Sequence, residues 1–238
     1  MIPIKDSIPS RSFPIVNYGI IVVNVVIFLF QLTLGSRLEV FIRHFGVVPA
    51  TFVAWGDVHP FHPLRYLPLL TSMFMHGGLL HLFGNMLTLW IFGDNVEDRM
   101  GHVRYLIFYL FCGVCGSMAH IFSQTGSSLP SIGASGAIAG VMGAYVLLYP
   151  RARVLTILPI FFFIQFIEIP ALIFMGFWFV IQFFSGVTSL GAEYYQQGGV
   201  AWWAHIGGFL SGILVTLMFY RRSPYRGRVI DWVDPEDR

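Results

Sequence analysis

Residues 133–149 read GASGAIAGVMGAYVLLY, an apolar run with the character of a membrane helix and with Ser135 near its start. A second apolar run carries His205 near its start, and a third carries His81 and Asn85. Such polar side chains are costly to place in hydrocarbon and usually have a function there. Three sites at corresponding ends of three helices indicate one reaction centre inside a bilayer.

The composition predicts an all-α polytopic membrane protein. Of the 238 residues, 56% are hydrophobic and 11% are charged, and the mean hydropathy is +0.71. Soluble domains carry about 25% charged residues. The net charge of +2 does not favour a nucleic-acid partner. Cys112 and Cys115 lie in one apolar run, so we expect no structural disulfide.

The apolar runs predict six transmembrane helices, at residues 15–34, 79–96, 103–124, 134–149, 169–186 and 201–220. An apolar segment at 155–166 leads into the fifth. We expect a cytoplasmic N-terminal segment at 1–14, a six-helix membrane domain at 15–220 and a cytoplasmic tail at 221–238. The long first outer loop, at about 35–78, is rich in aromatic residues and proline, which favours a position in the membrane interface.

The distribution of Lys and Arg predicts the orientation. Eleven of the 14 basic residues lie in the N-terminal segment, the second and fourth loops and the tail, and three lie in the first loop. The positive-inside rule therefore places both termini in the cytoplasm. The second, fourth and sixth helices then begin on the outer side, which brings His81, Asn85, Ser135 and His205 to a similar shallow depth.

A serine hydroxyl becomes a nucleophile when a base removes its proton, and neutral imidazole is the usual base. His205 can serve Ser135 if the fourth and sixth helices touch. Small residues permit such close contact in membranes. Gly136 lies on one helix, and Gly208 and Gly212 form a small-xxx-small pair on the other. We therefore predict a Ser–His dyad.

Acyl transfer also requires donors for the developing oxyanion. The backbone N–H of Ser135 lies at a helix N-terminus, where unpaired amides favour negative charge. His81 and Asn85, four residues apart on one helix face, can complete the hole. No acidic residue is placed to be a third member of a triad, because Asp94, Glu97 and Asp98 fall at the cytoplasmic end of the second helix and Glu168 is expected to begin the fifth. His76 and His81 lack a zinc-binding motif, so we expect no metal and no cofactor.

The chain resembles the rhomboid family of intramembrane serine proteases, in its six-span core form, over about residues 65–220. The resemblance is carried by GASG at 133–136, the His205 motif with its glycines, an expected turn at 97–101, and the cluster of His76, His81 and Asn85. It implies a serine-type endopeptidase with Ser135 as nucleophile and His205 as base. It also implies that His81, Asn85 and the Ser135 amide hold the oxyanion.

The resemblance further implies substrates that are single-pass membrane proteins, cut near helix-destabilising sequence. His76, Gly133, Gly136, Gly208 and Gly212 are expected to have structural roles beside the site. We expect an integral protein of the bacterial inner membrane, with the site open to the outer side; the oligomeric state stays open. The alternative is a non-enzymatic relative that binds or escorts membrane helices.

The sequence departs from the family pattern at two positions. Many relatives have an aromatic residue four positions after the serine, where this chain has Ala139. Many also have a Trp-Arg pair in the first loop, where Gly56 follows Trp55. The orientation of His205 must therefore depend on other neighbours.

Overall fold

The computed structural model describes residues 1–160, 163–190 and 200–219. Four of the longer helices in this part of the chain surround a fifth, and a sixth packs on the outside of that group. Their bounds are α1 (Ile15–Thr33), α5 (Leu79–Met100), α6 (His102–Ser123), α7 (Ser135–Leu148), α8 (Ala171–Ser189) and α9 (Trp202–Phe219). Three short helices between α1 and α5 are α2 (Leu38–Phe45), α3 (Pro49–Val58) and α4 (Pro63–Thr71). The predicted tail at 221–238 lies outside the described residues.

Each of the six predicted spans corresponds to a helix, but only some have the length and composition of a span. Among the described residues, α1, α6, α8 and α9 are long and apolar enough to cross a membrane. The 14 residues of α7 reach roughly 21 Å at 1.5 Å per residue, less than the hydrocarbon thickness of about 30 Å. The 22 residues of α5 are long enough, but they end in the charged stretch 94–99.

The short helix α7 is the centre of the molecule. Eleven of its 14 residues are buried. Its neighbours are α5, α6, α8 and α9. Because α7 is surrounded by protein and not by lipid, it does not have to cross the whole hydrocarbon layer.

Helices α7 and α9 contact each other directly through their backbones. A methyl group added at Gly208 would lie 1.9 Å from the carbonyl oxygen of Gly136. One added at Gly212 would lie 2.1 Å from the carbonyl oxygen of Gly140. Any larger residue at either position of α9 would separate the two helices.

A three-stranded antiparallel sheet lies at the end of α7 away from Ser135. Its strands are β1 (Ile2–Asp6), β2 (Arg153–Ile160) and β3 (Phe163–Pro170), in that order. The prediction that 155–166 is an apolar lead-in to a helix is therefore wrong. Ile- and Phe-rich sequence favours strands, and Pro170 prevents a helix from extending back past its own position.

The sheet also changes two expectations about the chain's polar segments. Residues 2–6 of the polar N-terminal segment form β1, which pairs with β2. Glu168, expected to begin the fifth helix, instead lies in β3. Its carboxylate is 3.6 Å from the guanidinium of Arg153 on the neighbouring strand.

The end of α5 holds the start of α1. The stretch at 97–101, predicted to be a turn, instead includes the last turn of α5, and Gly101 ends the helix at a φ of 80°. The carboxylate of Glu97 accepts hydrogen bonds from the backbone N–H groups of Val16 and Asn17, at 3.0 and 2.7 Å. Because these are N–H groups of the first turn of α1, Glu97 caps that helix from a distant part of the chain.

Arg65 of α4 holds α3 and α4 together. Its Nε donates to the carbonyl oxygen of Phe52 at 3.0 Å, and its guanidinium lies 4.2 Å from the centre of the Phe52 ring. A methyl group at Gly56 would lie 2.3 Å from that guanidinium. The glycine after Trp55 thus makes the space that Arg65 occupies.

We predict that Gly212→Ala lowers the melting temperature in detergent, since the added methyl group collides with the Gly140 carbonyl and overpacking costs about 1–3 kcal/mol. Gly176→Ala on α8 is the matched control, because a methyl group there meets nothing within 4 Å. That control should be neutral or slightly stabilising. Equal melting temperatures for the two variants would contradict the described contact.

A second prediction concerns Asp6, whose carboxylate accepts hydrogen bonds from Asn95 at 3.0 Å and from the Tyr145 hydroxyl. Burial raises the pKa of Asp6 from 3.8 to about 7, and the Tyr145 hydrogen bond opposes that rise. Folding therefore favours the protonated carboxyl, and the free energy of unfolding falls as pH rises from about 4 to about 7.

Asp6→Asn should remove this dependence, so its melting temperature should rise relative to the unsubstituted protein between pH 5 and pH 8. The exposed Asp57→Asn serves as the control. If the difference between Asp6→Asn and the unsubstituted protein stays constant over that range, the buried acid does not titrate as described.

Candidate active site

Ser135 is the first residue of α7, and the loop before it fixes its position. The N–H of Gly133 donates to the carbonyl oxygen of Ser72 at 2.9 Å. Gly133 has a φ of 135°, a conformation that side chains disfavour. The first bond from α7 back to this loop runs from the N–H of Ile138 to the carbonyl of Ala134, at 3.0 Å. The N–H groups that precede it lack intrahelical acceptors, as at every helix start.

His205 lies in the first turn of α9 and faces Ser135. Its Nε2 is 2.7 Å from the Ser135 Oγ, although the two residues are 70 positions apart. His205 is buried, and Ser135 is half-buried. The glycine contact between α7 and α9 begins one turn further along, at Gly208, so the same contact sets the distance between the two side chains.

The other side of the His205 ring meets α8. Its Nδ1 lies 2.7 Å from Oε1 of Gln182. The ring of Trp178 lies 5.8 Å away between centroids, and Trp202 presents an edge at 6.2 Å. Sequence reasoning missed Gln182 and Trp178. The signal was available, because Gln182 is the one amide in the apolar sequence of α8.

His76 and Asn85 form a buried polar pair beside the site. The Asn85 Nδ2 donates to the His76 Nε2 at 2.9 Å. The His76 backbone exchanges two hydrogen bonds with the Gln31 side chain on α1, at 3.0 and 3.2 Å. His81, one turn before Asn85, packs against His76 with 5.0 Å between ring centroids. Sequence reasoning also missed Gln31, which fixes this cluster from a distant helix.

One cavity of about 770 Å³ joins most of the predicted residues. Its lining includes Ser135, His205, His81, Asn85, Gly133 and Gly136. His76 lies behind this lining, and Gly208 and Gly212 lie in the contact between α7 and α9. Among the described residues, no group of three His, Cys, Asp or Glu side chains can hold a metal ion.

The protein-family model of the Rhomboid domain matches residues 63–222, about two thirds of the chain. The chain belongs to the rhomboid family. It is 31% identical over 198 residues to the human presenilin-associated rhomboid-like protein, mitochondrial, a match that covers 82% of this chain and 46% of that protein. Rhomboid protease GluP of Bacillus subtilis is 36% identical over 141 residues, with 58% of this chain and 26% of that protein covered.

Rhomboid protein 1, mitochondrial, of Saccharomyces cerevisiae is 30% identical over 153 residues, with 62% of this chain and 40% of that protein covered. The matches thus span less than half the length of these relatives. Family membership and the apolar helices make this a membrane protein. Because the human and yeast relatives are mitochondrial, the comparisons do not support the expected bacterial inner membrane.

Proposed function

We propose that this rhomboid is an intramembrane serine endopeptidase that cleaves membrane-protein substrates through Ser135 and His205. The observation that carries the proposal is the 2.7 Å separation of the His205 Nε2 from the Ser135 Oγ, inside a cavity at one end of an apolar bundle. The name of the relative GluP, a rhomboid protease, supports the same reaction class.

The reaction follows from the two side chains. The Ser135 Oγ attacks the scissile carbonyl carbon as its proton passes to the His205 Nε2. The imidazolium then protonates the leaving amine, the C–N bond breaks, and an acyl-enzyme remains on Ser135. Water attacks this ester as His205 takes its proton, and the return of that proton to Oγ releases the acid product and restores the serine.

The oxyanion would be held by three groups beside Ser135. The Ser135 N–H lies at the start of α7, where the helix dipole favours negative charge. An amide NH₂ has two hydrogens. Asn85 gives one to His76 and has a second for the oxyanion. His81 lines the same cavity and supplies the third group.

The proposed topology has six spans, with both termini in the cytoplasm and the site near the outer surface. The chain enters α7 at Ser135 and leaves it toward Arg151 and Arg153, so the basic residues lie at the end away from the site. Residues 15–220 would form the membrane domain, between cytoplasmic segments at 1–14 and 221–238. Single-pass membrane proteins would enter from the bilayer, as the family resemblance implies.

Ser135→Ala and His205→Ala should abolish cleavage of a model transmembrane substrate in proteoliposomes. Ser135→Ala should keep the melting temperature of the unsubstituted protein, whereas His205→Ala, which removes a buried ring packed against Trp178, should stay folded with a lower melting temperature. Ser211→Ala on α9 is the matched control for removal of a hydroxyl near these helices, because its Oγ donates to the Gly208 carbonyl within its own helix. That control should cleave normally. Cleavage by Ser135→Ala at the normal rate would overturn the proposal.

A complementary result would favour the non-enzymatic alternative. If the unsubstituted protein binds the substrate helix but releases no fragments, and Ser135→Ala binds equally well, the protein holds membrane helices and does not cut them. Cleavage that depends on both Ser135 and His205 excludes this alternative.

Asn85→Ala should reduce kcat by about 10²–10³, the usual cost of losing one oxyanion donor. It should change KM less, because the donor acts mainly on the transition state. His76→Ala removes the hydrogen-bond partner of Asn85 and leaves the donor itself in place, so we expect a smaller loss. Full activity of Asn85→Ala would exclude Asn85 from the oxyanion hole.

A further inference from the structure

We infer that Gln182 is the positioning residue for His205: its side-chain oxygen holds the ring nitrogen remote from Ser135 and so fixes the tautomer in which His205 acts as base. The inference rests on the proposed function of Ser135 and His205. Gln182 would thus join Ser135 and His205 as a third residue of the site. It lies on α8, which has no Asp or Glu.

The two ends of the Gln182 amide can be distinguished by their partners. Its Nε2 lies 3.3 Å from the carbonyl oxygen of Trp178, one turn earlier on α8. A carbonyl only accepts hydrogen bonds, so the NH₂ group must point to Trp178. The oxygen of the amide therefore points to the His205 Nδ1, at 2.7 Å.

This orientation determines where the imidazole proton resides. An amide oxygen only accepts, so the Nδ1 of His205 must carry the hydrogen that lies between them. A neutral imidazole has one N–H, and its Nε2 is then the acceptor. Nε2 is the nitrogen that lies 2.7 Å from the Ser135 Oγ, so the ring is in the form that can take the serine proton.

Packing holds both Gln182 and the ring in this geometry. Gln182 is 5% exposed and His205 is 8% exposed. The Trp178 ring is tilted by 33° to the imidazole, and Trp178 itself packs against Phe209 of α9. Trp178 of α8 is thus an aromatic neighbour of His205, in place of the aromatic residue that many relatives have at the position of Ala139.

The inference is tested with three variants, for which kcat and KM of substrate cleavage are measured from pH 5 to pH 9. Gln182→Met keeps the size of the side chain and removes the acceptor. Gln182→Glu keeps an acceptor and adds negative charge. Gln165→Met, in the exposed strand β3, is the matched control for the same chemical change away from the site.

Gln182→Met should lower kcat by about 10–100-fold, the factor expected when a buried donor loses its partner, with KM nearly unchanged. Gln182→Glu should retain more activity than Gln182→Met. It should also move the acid limb of the pH–kcat profile to higher pH, because a carboxylate stabilises the protonated ring. His81 and His120 also act electrostatically on His205 and are the same in all variants, so this shift reports the residue at 182.

A purely structural role for Gln182 predicts the reverse order. Gln182→Glu would then be the more damaging change, since it buries a charge, and the activity of each variant would fall only in proportion to its folded fraction, which thermal unfolding measures. That result, or a wild-type kcat for Gln182→Met, would overturn the inference. If the unsubstituted protein itself fails to cleave, the proposed function fails instead.

Discussion

Backbone contact between α7 and α9 is the constraint on which the site depends. Gly208 and Gly212 of α9 lie so near the carbonyls of Gly136 and Gly140 that neither position has room for a methyl group. Lipid supplies no hydrophobic force to bring helices together, so close packing of small residues must do so. The same contact places the imidazole of His205 beside the hydroxyl at the start of α7.

The other helices pack around α7 and α9 and hold the side chains of the site. Protein surrounds α7, which allows it to be short and brings its N-terminus into a cavity rather than to the lipid surface. From one side, α8 contributes Gln182 and Trp178 to the His205 ring. From the other side, α1 fixes the His76–Asn85 pair through Gln31. Distant segments thus hold the polar groups by hydrogen bonds that a bilayer cannot supply.

The sequence predicted the parts of this arrangement that depend on apolar runs and their direction. Ser135 and His205 each follow a helix start, so alternation of the helices was enough to predict that they lie at the same end. The lateral neighbours were not predictable in this way, because a single apolar helix gives no information about which face meets which partner. Gln182 was therefore missed, although it is the one amide of α8. The hairpin of β2 and β3 was missed because hydrophobicity alone does not distinguish a buried helix from apolar strands.

The proposed activation of Ser135 by His205 within the membrane can be measured directly. The direct measurement is reaction of the detergent-purified protein with a fluorophosphonate probe, location of the adduct by mass spectrometry, and the same experiment on His205→Ala. We expect an adduct on Ser135 that is lost in the variant. An adduct of equal yield in both proteins would show that the serine reacts without the histidine. An unlabelled Ser135, in a protein that also fails to cleave, would exclude Ser135 as an activated nucleophile.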